Sequence, residues 1–308
     1  MKEREQGCRL CPRGCGVTRQ GLRGKGFCGV GSTAVISRAA LHFWEEPVIS
    51  GFRGSGTVFF SGCTLGCIFC QNAAISAELH GKAVTPHELA DAMKSLEQQG
   101  AHNISFVTGT HYLPAIEQAL AIYHPSVPLV WNSGGYETVE TVRRMGEWVD
   151  IWLPDYKFAL PELAGEWCRA ADYPQVALKA ILAMCRLNEQ RGGNRFSDGV
   201  MTQGVIVRHM VMPGHTRNSV AALRLLRDSL PDGTLMSLMS QYTPNDRVNE
   251  YVQYPELSRR ITQREYDRVM RVADELGIEG FRQELSSARE EYVPPFDLSE
   301  VTETGDAN

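Results

Sequence analysis

No stretch of this 308-residue chain approaches the ~18 consecutive apolar residues that a membrane-crossing helix needs. An apolar leader is lacking too: Met1-Lys-Glu-Arg-Glu-Gln6 runs straight into cysteines, unlike a secretion signal. Both absences point to a soluble, cytoplasmic protein. Positive charge is not in excess, since 31 Lys and Arg face 36 Asp and Glu for a net charge of −5. That balance argues against nucleic acid as the main partner, because phosphate binding draws on a surplus of cations. Arg9, Arg13, Arg19, Arg23 and Lys25 make one local basic stretch, read as a solvated face. The composition, 43% hydrophobic and 22% charged, is that of an ordinary globular chain whose length does not force two domains.

Cysteine is present and unevenly placed: of nine, seven precede residue 71. In a reducing compartment such grouping points to metal ligation or redox chemistry rather than disulfides. Cys63, Cys67 and Cys70 form a C-x3-C-x2-C loop, with Gly62 and Gly66 in or beside it, just after the apolar run Thr57-Val-Phe-Phe60. What is missing there is a fourth ligand. Three thiolates are one short of a closed zinc or iron–sulfur site, and His80 lies ten residues on without a zinc-like spacing. If a [4Fe–4S] cluster sits here, one iron keeps an open position. Cys8, Cys11, Cys15 and Cys28, by contrast, supply four thiolates, enough to saturate either a structural zinc or a second [4Fe–4S] cluster. Cys168 and Cys185 lie in helical stretches and read as inert core residues.

From Thr57 onward, apolar strands alternate with helical segments. Strands are expected at Thr57–Ser61, Ile104–Thr108, Leu129–Asn132, Val149–Pro154, Gly204–Met212 and Thr234–Ser240. Helices are expected at Pro86–Gln99, Tyr112–Tyr123, Tyr136–Met145, Leu160–Ala171, Tyr173–Glu189, Ser219–Ser229 and Thr262–Leu276. Thr85-Pro86-His87-Glu88 combines an N-cap, a first-turn proline and an early acid. Six strand–helix units imply an α/β fold with a parallel sheet, whose chemistry gathers at the carboxyl ends of the strands. The division expected is 1–50 as a Cys-rich metal-binding extension, 51–285 as the core domain and 286–308 as a flexible tail.

The three-cysteine loop, with Phe69 before its third cysteine, resembles the signature of the radical S-adenosylmethionine (SAM) enzymes. Gly54-Ser-Gly-Thr-Val-Phe-Phe-Ser-Gly-Cys63 and Phe69-Cys-Gln-Asn72 are similar to the branch related to the pyruvate formate-lyase activating enzyme. The resemblance runs from Cys8 to Glu284 and implies a partial (β/α)6 TIM-type barrel. It also implies a [4Fe–4S] cluster on Cys63, Cys67 and Cys70 that reductively cleaves SAM. The product is a 5′-deoxyadenosyl radical that abstracts hydrogen from a substrate, in the activating enzymes a glycine of a partner enzyme.

Further residues carry over from the same resemblance. Phe69 is placed against the adenine. The strand end that holds an acid for the SAM amino group in the family reads Thr108-Gly109-Thr110-His111 here, without the acid, so a backbone carbonyl, Thr110 or His111 would take its place. Asn132-Ser133-Gly134 resembles the polar turn near the methionine moiety, Asp155-x-Lys157 the motif in which Lys157 meets the SAM carboxylate, and Arg208 the arginine that approaches SAM. Gln241-Tyr242 is placed toward the substrate. Flavodoxin or ferredoxin would serve as electron donor. Without the resemblance, Asp155 and Lys157 read equally well as a surface ion pair, and Arg208-His209 as one buried and one exposed residue of a strand. The competing function classes are a non-catalytic iron–sulfur electron carrier, which leaves the alternating barrel, Lys157 and Arg208 unexplained, and a zinc-stabilised binding module.

Overall fold

The computed structural model describes residues 7–287 together with 296 and 298. The chain opens with the cysteine segment and continues through β1 (Ala34–His42), α1 (Pro47–Ser50), β2 (Ser55–Phe60), α2 (Ala73–Ser76) and β3 (Lys82–Val84). It then alternates through α3 (Pro86–Gln98), β4 (Ile104–Val107), α4 (Leu113–Ile122), β5 (Leu129–Ser133), α5 (Val139–Met145) and β6 (Ile151–Pro154). After α6 (Pro161–Cys168) and α7 (Tyr173–Gln190) come β7 (Arg195–Ser197), β8 (Val200–Met210), α8 (Thr216–Ser229), β9 (Leu235–Met239), α9 (Gln263–Glu275) and β10 (Gly280–Arg282).

One sheet carries the strands in the order β10-β9-β8-β6-β5-β4-β2-β1-β3, with β7 paired to β8. The run from β2 to β10 through β4, β5, β6, β8 and β9 is parallel throughout. Because the order is a path with two ends, the barrel is open, a partial α/β barrel as expected. The six expected strands are all present. Helix α3 starts as its sequence implies: the Thr85 side chain accepts from the Glu88 N–H while the Glu88 carboxylate accepts from the Thr85 N–H.

Four strands had no anticipated counterpart: β1 and β3, which pair antiparallel at one edge, β10 at the other, and β7, which pairs antiparallel with β8. β1 is hydrogen-bonded along β2, so residues 34–42 of the expected extension are part of the central sheet. The tail expected at 286–308 falls almost wholly outside the described residues, although Phe296 packs edge-on against Phe59 with centroids 5.5 Å apart.

Alternation along the strands divides the sheet's two faces. Leu129 and Trp131 of β5, Trp152 of β6 and Val205 and Val207 of β8 join the large core under the helices. Their neighbours Val130, Ile151, Leu153 and Ile206 face inward and form a second apolar cluster around Ile49 of α1. The short α1 thus plugs the lower end of the barrel. Buried polar bonds fix it there: Asn103 Nδ2 donates to the Ile49 carbonyl (2.8 Å), and Ser55 Oγ donates to Asn103 Oδ1 (2.6 Å). Continuing by twos above this plug, the inward positions become Asn132, Asp155, Arg208 and Gln241, so the upper barrel is polar.

Candidate active site

A cavity of about 500 Å³ opens above the plug, at the carboxyl ends of the strands. Cys63, Cys67, Phe69, Cys70, Thr108, Asn132, Ser133, Asp155, Lys157 and Arg208 all contribute to its wall. The loop after β2 turns sharply because Gly62 and Gly66 adopt φ of +84° and +66°, a region that side-chain-bearing residues seldom enter. A Cβ on Gly62 would stand 2.5 Å from Val30 Cγ1, so the loop also lies tight against the N-terminal segment.

The three thiols are mutual electrostatic neighbours. Burial first, then Cys67 and Cys70, pushes Cys63 up to about 12, and burial followed by Cys67 raises Cys70. Cys67 is raised well above the ordinary thiol range, chiefly by Cys168, whose Sγ lies 3.2 Å away, and then by burial. Donors already point at two of these sulfurs: Leu65 N–H toward Cys63 Sγ and Ser76 Oγ toward Cys70 Sγ, each at 3.3 Å. Among the described residues no group of three or more His, Cys, Asp or Glu has the geometry to hold a single ion. An iron–sulfur cluster spreads its sulfurs wider, and the donor set suits one. Three half-buried thiols with raised pKa values, hydrogen bonds aimed at two of the sulfurs and space in front of them fit a cluster edge.

Opposite the thiols lies a charged network. Arg208 Nε donates to Asp155 Oδ1 (2.9 Å), Nη1 to Glu45 Oε2 (2.9 Å) and Nη2 to Asn132 Oδ1 (2.6 Å). Asn132 Nδ2 donates in turn to Glu45 Oε1 (3.0 Å), and Lys157 Nζ donates to Asp155 Oδ2. Burial would raise the Asp155 carboxyl, but Lys157 and Arg208 together hold it below the usual carboxylate range. Burial likewise disfavours both cations, yet Asp155 lifts Lys157, and Asp155 with Glu45 lifts Arg208. The reading of Asp155 and Lys157 as a surface pair fails, because both are largely buried in the cavity wall. His209 is not exposed either: it is fully buried, with Nδ1 2.6 Å from the Tyr156 carbonyl oxygen.

The turn after β4 departs from expectation. Thr108 reaches the cavity in a left-handed conformation (φ +58°), a strained state for a β-branched residue. Gly109 does not reach it and packs instead toward Ile116 and Trp131. Thr110 and His111 are also turned away. Thr110 Oγ1 donates to Glu137 Oε1 (2.7 Å), and His111 Nε2 lies 2.8 Å from the Ser61 carbonyl oxygen. Neither side chain is free to replace the missing acid. Glu137 is itself buried and accepts a second bond from Trp131 Nε1 (3.3 Å), while Oε2 has no partner. Burial pushes its carboxyl up to about 7 against the pull of Thr110, Trp131 and Ser133. Of Gln241-Tyr242, only Gln241 lines the cavity; Tyr242 is buried and donates to the Leu257 carbonyl (2.7 Å).

Of the N-terminal cysteines, Cys8, Cys11 and Cys28 are electrostatic neighbours. Cys11 is pushed up to about 12 by burial, with Cys28 and Cys8 adding to the shift, and Cys15 Sγ lies 3.4 Å from the Phe27 backbone nitrogen. Arg13, read from sequence as part of a solvated face, is instead a strap. Its guanidinium donates to the carbonyls of Thr64 (3.0 Å), Leu65 (3.1 Å), Cys168 (2.8 Å) and Arg169, and stacks over Phe27 at 3.7 Å. One side chain thereby ties the cysteine segment to the Cys63 loop and to the end of α6.

Sequence reasoning passed over Glu45, Glu46, Glu137 and the Cys67–Cys168 contact. The signal for the first two was two acids inside the otherwise apolar run Leu41-His-Phe-Trp-Glu-Glu-Pro-Val-Ile49. The rest carry no local signal.

Comparison with known proteins agrees with this geometry. The pattern of the Radical SAM superfamily matches residues 57–247. "Uncharacterized protein MJ0674" of Methanocaldococcus jannaschii is 28% identical over 281 residues, which cover 88% of this chain and 75% of that protein. Streptococcus suis SuiB bound to S-adenosylmethionine shares the fold at a TM-score of 0.50 and 11% identity, over 74% of this chain and 50% of SuiB. This chain therefore spans about half the length of SuiB. A domain of pyruvate-formate lyase-activating enzyme from Bacteroides vulgatus aligns over 65% of this chain and 91% of that domain, with a TM-score of 0.34 and 13% identity.

Proposed function

Because the chain belongs to the radical SAM superfamily, we propose that Cys63, Cys67 and Cys70 hold a [4Fe–4S] cluster and that the adjoining cavity receives SAM. The observation that carries this reading is the meeting of three half-buried thiols with Asn132, Asp155, Lys157 and Arg208 around one cavity at the strand ends. When bound, the two cofactors supply reductive cleavage of the sulfonium to methionine and a 5′-deoxyadenosyl radical, the cofactor-borne part of the chemistry.

The chain's own residues bind and orient the ligand. Lys157 offers an ammonium to a carboxylate and is aimed by Asp155. Arg208 holds Asp155, Glu45 and Asn132 in one rigid array, so the polar wall is organised before a ligand arrives. Phe69, packed on Phe158 and Trp167, gives an aromatic edge for the adenine. Leu65, Met210 and Met239 add apolar surface to the wall.

Within the superfamily the reading favours an oxidoreductase of the activating-enzyme type, acting on a peptide or protein and reduced by flavodoxin or ferredoxin; the likeness of the Gly54–Asn72 string supports it. Residues 51–285 would form the catalytic core. Cys8, Cys11, Cys15 and Cys28 would hold a second, saturated site, a [4Fe–4S] cluster or zinc, strapped to the first by Arg13. The test is anaerobic reconstitution with iron and sulfide, followed by dithionite and SAM. Release of 5′-deoxyadenosine that is lost in Cys63→Ala is the expected result. Equal yields from the two proteins would refute the assignment.

A further inference from the structure

Two carboxylates enter the cavity from outside the residues that match the superfamily. Glu45 and Glu46 sit between β1 and the plug α1, upstream of residue 57, and both belong to the cavity wall. Glu45 is occupied by Arg208 and Asn132. Glu46 is only partly satisfied: its carboxyl meets Ser237 and its own backbone N–H, but the residue is only 8% exposed and Oε2 is buried without a hydrogen-bond partner. Burial is the largest influence on both carboxyls and holds them above the ordinary range; Arg208 opposes it through space.

No cation in the wall is left to serve Glu46. Arg208 spends its Nε, Nη1 and Nη2 on Asp155, Glu45 and Asn132, and Lys157 is on Asp155. Burial lowers His42 to about 4, so it is neutral near pH 7. Arg282 at the rim is exposed and bonds Asp274 at 2.6 Å. The buried wall therefore sets three carboxylates (Glu45, Glu46, Asp155) against two cations (Lys157, Arg208). A buried carboxylate short of a donor is costly, and a ligand cation would relieve that cost. Phe59 and Phe281 share the wall and give apolar surface to the stem of such a group.

We propose that Glu46, backed by Glu45, receives an alkylammonium or alkylguanidinium group of the substrate; calling the ligand a substrate rests on the radical SAM reading of the same cavity. Position separates this receptor from the amino group of SAM. Ser237 of β9 stands beside the Glu46 carboxyl. Thr108, at the place where the family's acid is missing, follows β4, and β8, β6 and β5 lie between the two strands.

The test uses the full chain, reconstituted and kept anaerobic. Ligand-observed NMR titrations compare n-butylguanidinium and n-butylammonium with neutral n-butanol. Wild type is expected to bind the cations saturably and at least tenfold more tightly than the alcohol, with SAM present or absent. Glu46→Gln should lose at least tenfold in cation affinity, and Glu46→Asp should recover part of it. Absence of preference for the cations in wild type, or wild-type affinity in a folded Glu46→Gln, would overturn the proposal. Displacement of the cation by SAM would overturn it too, giving the carboxylates to the cofactor. The wild-type comparison alone decides the matter if the variant does not fold. Failure of wild type to bind SAM would count against the cofactor reading and leave the cation result standing.

Discussion

Glu137→Gln tests the electrostatics of the buried turns that follow β4 and β5. Glu137 is fully buried between Thr110 and Trp131, and burial raises its carboxyl from 4.5 to about 7. Its folded-state value is therefore above the unfolded one, so between those two values the folded chain holds a proton that the unfolded chain releases. Stability contributed by the neutral acid is full below about pH 4.5, falls as pH rises, and is lost above about pH 7. A shift of roughly two to three units at ~1.4 kcal/mol each amounts to about 3 kcal/mol by pH 8. The amide keeps an oxygen for the Thr110 and Trp131 donors and carries no charge at any pH. Wild type and variant should thus unfold at similar urea concentrations near pH 5. At pH 8 the variant should be more stable by about 3 kcal/mol. Urea titrations under strict anaerobiosis at pH 5, 6, 7 and 8 read the difference. Parallel pH profiles for the two proteins would refute the assignment of a neutral Glu137 and show that the buried carboxylate is compensated in place.

Arg208→Met removes the cation shared by Asp155 and Glu45; stranding buried charges this way should cost about 3–5 kcal/mol, measured by denaturation at pH 7. Adding Glu45→Gln should recover part of that loss, and strict additivity in the double-mutant cycle would count against the network. Arg13→Ala cuts four carbonyl contacts that join the cysteine segment to the Cys63 loop. It should expose the first thirty or so residues to limited proteolysis while the barrel resists, and an unchanged digestion pattern would dismiss the strap. Cys168→Ala deletes the sulfur beside Cys67. Loss of a hydrogen-bond donor to a ligand sulfur should move the cluster's reduction potential to a more negative value in a dye-mediated titration, whereas an unmoved potential would make Cys168 plain packing.

The elements that were legible share one property: their cause is local. The loop at Cys63, Cys67 and Cys70 is set by spacing and by two glycines that permit its turn. Helix α3 begins where Thr85 and Glu88 can cap it. The inward positions Asn132, Asp155 and Arg208 follow from a period of two along strands whose apolar residues are plain. Nothing near Thr110 and His111 in the chain reveals that Glu137 and the Ser61 carbonyl claim their polar atoms. One step along the same turn, from Thr108 to Gly109, exchanges the cavity for the core.

What the sequence determined by itself is the chemistry on offer: three thiols in one short loop, four more near the N-terminus, and polar side chains at the ends of parallel strands. Tertiary structure alone decided which groups meet across the barrel. Cys67 and Cys168 are 101 residues apart in the chain and 3.2 Å apart in space. Arg13 reaches Cys168 and Arg169 across 155 and 156 residues of chain. Glu45 and Glu46 enter the cavity because β1 pairs antiparallel with β2 and returns the chain beneath the barrel, where burying Ile49 against Val130, Ile151 and Ile206 draws the two acids in with it. Apolar burial fixed the place of that turn, and the charges came along as its neighbours.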